Sequence, residues 1–291
     1  MVKDYHCAGL DGEYIPKDKL KLWLYINLTN RCNAHCPFCV NTSVNTVCKE
    51  ISIAKLRHTL KKIKDAVNGV SITGGEPMLF PDLVDEAATV VTDVLGADTQ
   101  LELVTNGTRL QKLSALQTES RFSSIHISRH CIHDADHTAL MCASAPTWNQ
   151  IKKYVSEQKD PAKVVLNCVL QKGGVDSPEA ARSYLELAAW AGVKNVSFVG
   201  MFQANQYCRD HYVSPQILTF RQDFRFTIWN QYHDYTFCSC SSGDYLSEHG
   251  YIRFYYRCPG VDRASYVRQL VYEYNDQLLA GFGGPIIEIG D

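Results

Sequence analysis

The sequence predicts an α/β protein whose core is a partial (β/α)6 barrel of parallel strands, followed by a C-terminal extension. Two observations lead to this fold class. Strand-like and helix-like runs alternate six times between residues 21 and 205, and the helix-like runs carry recognisable end signals. Strands separated by helices pair in parallel through right-handed crossovers. We therefore expect a lead-in over residues 1–20, a core over 21–205 and a substrate-binding region over 206–291.

Short runs rich in β-branched and aromatic residues mark the strands. The six predicted strands cover residues 22–28, 69–73, 100–104, 124–128, 163–170 and 195–201. A further strand, a turn at Asn275 and Asp276, and a last strand are predicted over residues 267–289. We expect this terminal hairpin to pack across the open side of the barrel.

Caps and stops set the predicted helix limits. The helix after the first strand begins behind the N-cap Ser52 and is expected to stop just before Gly69. The helix after the fifth strand has Ser177 as N-cap, Pro178 in its first turn and Gly192 as its stop. Two further helices are predicted over residues 81–95 and 147–155.

Composition excludes several classes of protein. Of 291 residues, 45% are hydrophobic and 21% charged, and the net charge is −2, which is ordinary for a globular chain. This charge gives no argument for nucleic acid or an anionic membrane as a partner. Residues 1–20 lack the apolar segment of a signal peptide, and no apolar run approaches the ~20 residues that span a bilayer. We expect a cytoplasmic protein.

Three cysteines follow the first predicted strand. Cys32, Cys36 and Cys39 have the spacing C-x3-C-x2-C, which lets three thiolates face one metal ion or cluster if the loop curls around it. A structural zinc site needs four ligands, and a cube held by four cysteines needs one more than this loop offers. Three ligands leave one iron of a cluster open to bind and react.

A second motif strengthens this interpretation. Phe38 directly precedes the third cysteine, and the second predicted strand is followed by Gly74, Gly75, Glu76 and Pro77. Together the two motifs resemble those of the radical S-adenosylmethionine (SAM) superfamily. The resemblance covers residues 20–205. It implies a [4Fe-4S] cluster on Cys32, Cys36 and Cys39, with SAM on the open iron and its ammonium group held by the carbonyls and glutamate of the second motif.

Polar residues at the later strand ends are further candidates. The resemblance implies that such residues hold the ribose and carboxylate of SAM, here Asn106, Ser128, Arg129 and Asn167. Arg129 could form a bidentate pair with the carboxylate. The alternative is that each side chain merely terminates a strand. His126, His130, His133 and His137 do not follow a zinc spacing, so we expect no second, histidine-bound metal.

The resemblance also implies a mechanism. One electron, from a flavodoxin- or ferredoxin-type donor, enters the cluster and cleaves SAM into methionine and a 5′-deoxyadenosyl radical. The radical then removes a hydrogen atom from the substrate. The cofactor carries the difficult step, and the protein positions the target C–H bond and keeps water away.

The C-terminal region holds four more cysteines of interest. They could ligate an auxiliary Fe–S cluster, or one could be a thiol that returns a hydrogen atom to the substrate; they are Cys208, Cys238, Cys240 and Cys258. The spacing Cys238-Ser239-Cys240 does not match the usual pattern of the larger auxiliary-cluster domains. Both alternatives stay open.

The substrate is constrained mainly by size. The short segment before the cysteine loop and the absence of a long multi-cysteine module favour a small polar substrate, such as a sugar, aminoglycoside, nucleotide or amino acid derivative. Epimerisation and dehydrogenation fit about equally well. Modification of a ribosomal peptide is an alternative, and a non-enzymatic metal- or SAM-binding module is an alternative from another class.

Overall fold

The computed structural model describes residues 22–40, 47–202, 204–219, 227–228, 241–257 and 269–290. All six predicted core strands are present and pair in parallel in chain order. They are β1 (Leu22–Asn27), β2 (Val67–Thr73), β3 (Gln100–Thr105), β4 (Ser124–Ser128), β5 (Val164–Val169) and β6 (Asn195–Val199). The predicted α/β class with a mostly parallel sheet is therefore confirmed.

Helices connect these six strands, and one more helix follows β6. Within the described residues they are α1 (Ile53–Ile63), α2 (Pro81–Leu95), α3 (Leu110–Leu113), α4 (Asp134–Met141), α5 (Trp148–Glu157), α6 (Pro178–Trp190) and α7 (Gln206–Asp210). The caps behave as predicted: the side chain of Ser52 accepts from the N–H of Lys55, and that of Ser177 from the N–H of Ala180. Gly192 adopts φ +82 after α6.

The predicted role of Gly69 is wrong. Helix α1 ends at Ile63, and Gly69 lies inside β2 beside Trp23 of β1. A Cβ atom at Gly69 would stand 2.1 Å from the indole ring of Trp23. Glycine is therefore needed here to make room for a neighbouring side chain rather than to end a helix.

The two faces of the core sheet differ in character. Side chains such as Leu24, Ile72 and Leu103 belong to one apolar core that includes Leu56 of α1 and Leu185 of α6. Because side chains alternate along a strand, the residues between them point to the other face, which we call the inner face. It is polar, and carries Ser71, Glu102, His126, Asn167 and Ser197.

The C-terminal strands extend this sheet at both edges. They are β7 (Thr227–Ile228), β8 (Ser241–Ser247), β9 (Gly250–Arg257), β10 (Gln269–Tyr272), β11 (Leu278–Leu279) and β12 (Ile286–Ile287). Strand β9 pairs in parallel with β6, and β10 pairs in parallel with β1. The sheet order across the described residues is β12-β11-β10-β1-β2-β3-β4-β5-β6-β9-β8-β7.

This order corrects one expectation. The terminal hairpin forms around Asn275 and Asp276 as predicted, with Asp276 at φ +64, but it does not pack across an open side. Its first strand continues the sheet edge beside β1. The division into a core and a C-terminal region stays a prediction.

Candidate active site

The cysteine loop and the glycine-rich turn form one hydrogen-bonded unit. The loop follows β1, and the turn follows the neighbouring strand β2. The N–H of Gly75 donates to the carbonyl of Thr29 at 2.7 Å, and the N–H of Glu76 donates to the carbonyl of Arg31 at 2.8 Å. The two motifs, which are distant in sequence, therefore share the carboxyl ends of adjacent parallel strands, where such folds gather their chemistry.

The glycines of the turn are required by this contact. Gly74 adopts φ +124, and a Cβ there would stand 2.7 Å from the carbonyl oxygen of Thr29. A Cβ at Gly75 would stand 2.1 Å from the carbonyl oxygen of Arg31. The neighbour that excludes a side chain at these positions is the backbone at the start of the cysteine loop. The expected contact of this turn with SAM stays a prediction.

Glu76 has a structural role that the sequence did not indicate. Its side chain is completely buried, and it accepts hydrogen bonds from Thr105 Oγ1 at 2.5 Å, the N–H of Asn106 at 2.6 Å and the N–H of Met78 at 2.9 Å. Burial raises the pKa of Glu76, and these hydrogen bonds oppose the shift. Three protein donors share the two oxygens of this carboxylate, which offers about four acceptor positions, so its expected contact with the SAM ammonium stays a prediction. Pro77, also buried, starts the 3-10 turn Pro77–Leu79.

Asn106 supports the cysteine loop from the end of β3. Its Nδ2 donates to Asn33 Oδ1 at 2.9 Å and lies 3.8 Å from Cys32 Sγ. Its Oδ1 accepts from the N–H of Thr108 at 2.9 Å. Asn33 was not predicted to belong to the site, and its position directly after Cys32 was the only available signal. Asn106 thus contacts the cysteine loop directly, and its expected contact with SAM stays a prediction.

The three thiols share a partly buried environment. Burial raises the pKa of Cys32, and burial together with the neighbouring thiols of Cys39 and Cys32 raises that of Cys36 to about 12. Three thiolates at this place repel one another, so a positively charged iron centre is the partner that would stabilise them. Donors to sulfur are present, since the N–H of Ala34 lies 3.4 Å from Cys32 Sγ. The loop therefore fits an Fe–S cluster chemically.

Geometry alone does not assign the ligands. In the part of the chain that the structure describes, no three Cys, His, Asp or Glu side chains are arranged as around a bound metal ion. The assignment of Cys32, Cys36 and Cys39 to a cluster rests on their spacing and on the chemistry of the loop. In the same described part, no helix is both long and apolar enough to cross a membrane.

The later strand ends divide into two groups. Ser128 and Asn167 are half-buried register partners on the inner face, and Asn167 Oδ1 lies 3.0 Å from His126 Nδ1. Arg129 is fully buried, and its Nη1 and Nη2 donate at 3.0 Å to the carbonyls of Pro146 and Ile132. This burial disfavours the expected pairing of Arg129 with the SAM carboxylate, which stays a prediction, and Arg129 Nε has no hydrogen-bond partner among the described residues.

Arg129 has two more internal partners. Its Nη2 forms a 2.8 Å ion pair with Asp134, and its Cζ lies 4.6 Å from the ring centroid of Trp148. These contacts anchor the start of α4 and the start of α5. The position of Arg129 directly after a strand, which suggested binding of SAM, reflects this anchoring.

The end of the cysteine loop, around Phe38, contacts the segment that follows β4 and helix α7. The ring of Phe38 meets that of His130 edge to face, with centroids 4.9 Å apart. Burial lowers the pKa of His130 to about 3, with the nearby charge of Arg129 adding to the shift. Asn205 donates to the carbonyl of Pro37 at 3.0 Å, and the buried thiol of Cys208 lies 3.9 Å from the carbonyl oxygen of Phe38.

Cys208 therefore lies against the first cysteine loop, and neither Asn205 nor this contact was predicted. The other candidate thiols of the C-terminal region, Cys238, Cys240 and Cys258, lie outside the described residues. The two roles considered for these four cysteines stay predictions.

Part of this chain is similar in sequence to known proteins. Residues 26–177 match the family described as the radical SAM superfamily. Molybdenum cofactor biosynthesis protein 1 from Bos taurus is 28% identical over 162 residues, which cover 52% of this chain and 24% of that protein. GTP 3′,8-cyclase from Aliarcobacter butzleri is 28% identical over 156 residues, covering 52% of this chain and 47% of that protein. The chain thus spans less than half of these curated relatives.

The fold has solved counterparts. Streptococcus suis SuiB, in a crystal structure bound to S-adenosylmethionine, superposes with a TM-score of 0.60 at 16% identity, covering 90% of this chain and 60% of that one. The same protein bound to its precursor peptide SuiA gives a TM-score of 0.58 at 15% identity, covering 90% and 59%. The chain belongs to the radical SAM superfamily. The cofactors of this family are a [4Fe-4S] cluster and SAM.

Proposed function

We propose that this protein is an enzyme that cleaves SAM reductively and abstracts a hydrogen atom from a small polar substrate. The observation that carries the proposal is the pair of backbone hydrogen bonds from Gly75 and Glu76 to Thr29 and Arg31, which joins the cysteine loop to the glycine-rich turn. When bound, the cluster and SAM supply the electron transfer and the radical.

The protein's own groups then have defined tasks. Cys32, Cys36 and Cys39 would hold the [4Fe-4S] cluster, which would supply the electron that cleaves SAM. The backbone carbonyls of the turn, together with the Glu76 carboxylate, would accept from the SAM ammonium. Glu76 keeps the turn fixed against Asn106, which in turn contacts Cys32.

A polar inner face supports a polar substrate. Ser128, Asn167 and Ser197 follow one another in register across β4, β5 and β6, and Tyr255 of β9 continues the row. The hydroxyl of Ser197 is buried and has no hydrogen-bond partner among the described residues. Such a surface suits a ligand with several hydroxyl or amide groups. A nucleotide is one member of this class, and the GTP 3′,8-cyclase relatives make GTP a natural first substrate to try.

The first test separates an enzyme from a passive binding module. The protein is reconstituted anaerobically with iron and sulfide, and SAM and dithionite are added. We expect about four irons per chain for one [4Fe-4S] cluster and release of 5′-deoxyadenosine, measured by liquid chromatography and mass spectrometry. Cys32→Ala, Cys36→Ala and Cys39→Ala each abolish the release. Cys48→Ala is the matched control, because Cys48 is exposed and outside the motif.

Two results contradict the proposal. One is 5′-deoxyadenosine release that persists in the triple cysteine variant. The other is a colourless protein that holds zinc at full occupancy. Once cleavage is established, turnover in D2O with GTP, nucleotide sugars and aminoglycosides distinguishes the reactions. Solvent deuterium in an otherwise unchanged substrate indicates epimerisation, a loss of two mass units indicates dehydrogenation, and turnover of a peptide alone removes the small-substrate assignment.

A further inference from the structure

We propose that His126 is a positioning residue, which fixes the amide of Asn167 so that its N–H groups face SAM on the inner face. This inference rests on the proposed function and on the predicted contact between Asn167 and SAM, which binds in the same polar cavity as the substrate. His126 itself has no access to a ligand, since its side chain is completely buried. Asn167 is half-buried and two residues from the carboxyl end of β5. His126 can therefore act on a ligand only through its neighbour.

A line of hydrogen bonds leads across the sheet from Trp23 to Glu102, which lies beside His126. Trp23 Nε1 donates to Ser71 Oγ at 2.8 Å, and Ser71 Oγ donates to Glu102 Oε2 at 2.8 Å. Glu102 Oε1 lies 3.5 Å from His126 Nε2. These side chains come from β1, β2, β3 and β4, and each is nearly inaccessible to solvent. We call this group, Trp23, Ser71, Glu102 and His126, the polar floor.

The polar floor is held rigidly. The indole of Trp23 fills the space left by Gly69, so it cannot turn without a clash. Its N–H group can only donate, which makes Ser71 Oγ the acceptor and sends the hydroxyl proton of Ser71 to Glu102. Interlocked buried networks of this kind restrict each member to one orientation. His126 is therefore presented to Asn167 in a fixed pose.

The position of the proton on His126 follows from its contacts. Ser124 Oγ lies 3.0 Å from Nε2, and Asn167 Oδ1 lies 3.0 Å from Nδ1. An amide oxygen accepts only, so Nδ1 carries a hydrogen and donates to it. Nε2 then accepts from the hydroxyl of Ser124. In this arrangement the two N–H bonds of Asn167 point away from His126.

This orientation matters for ligand binding. An amide whose oxygen is already occupied can only donate to a ligand, so Asn167 selects an acceptor such as a carboxylate, hydroxyl or ring nitrogen. If the amide turned over, an oxygen would face that acceptor and the hydrogen bond would be lost. His126 thus prevents the Asn167 amide from turning over, although His126 does not contact the ligand.

Two substitutions at His126 separate this role from a purely structural one. An asparagine reaches about as far as Nδ1, so His126→Asn keeps a donor toward Asn167. A glutamine reaches about as far as Nε2, so His126→Gln keeps the contacts to Ser124 and Glu102 and loses the donor toward Asn167. The dissociation constant of SAM is measured by calorimetry on the reconstituted protein. We expect it to rise about tenfold in His126→Gln and to stay within about twofold in His126→Asn.

A double-mutant cycle tests the coupling. If His126 acts through Asn167, His126→Gln has no further effect on SAM affinity in an Asn167→Ala background. Equal SAM affinities in the two His126 variants overturn the inference, as does a full additional loss in the Asn167→Ala background. Thermal unfolding of each variant shows whether it is folded.

Asn167→Asp gives an independent answer where the His126 variants do not fold. It keeps an oxygen toward His126 and replaces the N–H donors by a second oxygen, so we expect at least the same loss of SAM affinity. Unchanged affinity overturns the inference. If the wild-type protein neither binds nor cleaves SAM, the proposed function itself is wrong. If the wild type does both and the variants behave alike, only the positioning role fails.

Discussion

The N–H of Gly75 donates to the carbonyl of Thr29 across 2.7 Å, which joins two segments that the sequence separates by more than forty residues. One segment leads into the three cysteines and the other carries the glycine-rich turn. Their contact means that any change in the turn is transmitted directly to the backbone of the cysteine loop.

A methyl group at Gly75 should displace the cysteine loop. The Cβ of Gly75→Ala would stand 2.1 Å from the carbonyl oxygen of Arg31, so the backbone must shift. We expect a loss of about 3 kcal/mol in the free energy of unfolding in urea, together with a lower iron content after reconstitution. Gly290→Ala is the matched control, because nothing lies within 4 Å of its Cβ. Wild-type iron content in Gly75→Ala contradicts the prediction.

The Glu76 carboxylate should matter for stability even without SAM. Glu76→Gln replaces one acceptor oxygen by an NH2 group, which then faces a protein N–H or hydroxyl donor. A buried donor without an acceptor costs about 1–3 kcal/mol, so the urea midpoint of the apoprotein falls. An unchanged midpoint, combined with weaker SAM binding, would instead assign the carboxylate to the ligand.

Gly69 and Trp23 should behave as a coupled pair. Gly69→Ala introduces a Cβ into the indole ring and is expected to cost about 1–3 kcal/mol of stability. Trp23→Phe is destabilising by itself, since it loses the hydrogen bond to Ser71, but its smaller ring leaves room for the new methyl group. The cost of Gly69→Ala should therefore be smaller in the Trp23→Phe background. Strict additivity in urea unfolding argues against the contact.

Arg129 should affect the fold and leave SAM binding unchanged. Arg129→Lys keeps the charge, but a single ammonium group cannot replace donors to the carbonyls of both Ile132 and Pro146. We expect a loss of about 3 kcal/mol in unfolding free energy, with a SAM dissociation constant within about twofold of wild type. A tenfold weaker SAM complex in a variant of normal stability would restore the role that the sequence suggested.

The core of the fold could be predicted because its signals are local. Each of the six strands is a short β-rich run, and Ser52 and Ser177 cap helices through their own side chains. The cysteine spacing and the glycine-rich turn are likewise contiguous motifs. Their presence at adjacent strand ends followed from the parallel order of the sheet.

The errors concern contacts between distant parts of the chain. A glycine soon after a helical pattern is typical of a helix stop. No residue near Gly69 in the sequence indicates that the indole of Trp23 packs against it, although this contact is what requires a glycine. Arg129 follows a strand as a ligand-binding residue would, while the carbonyls that bind it belong to later turns. The parallel pairing of β9 with β6 and of β10 with β1 has no local signature either.

The pairing of β10 with β1 has a consequence for how the protein is synthesised. Asn27, the last residue of β1, donates to Glu273, which directly follows β10, at 3.1 Å and across 246 positions of the chain. During translation the first strand leaves the ribosome long before its outer neighbour exists. The outer edge of β1 therefore stays unpaired until residues 269–272 have been synthesised, and during that interval it could pair with a strand of another chain.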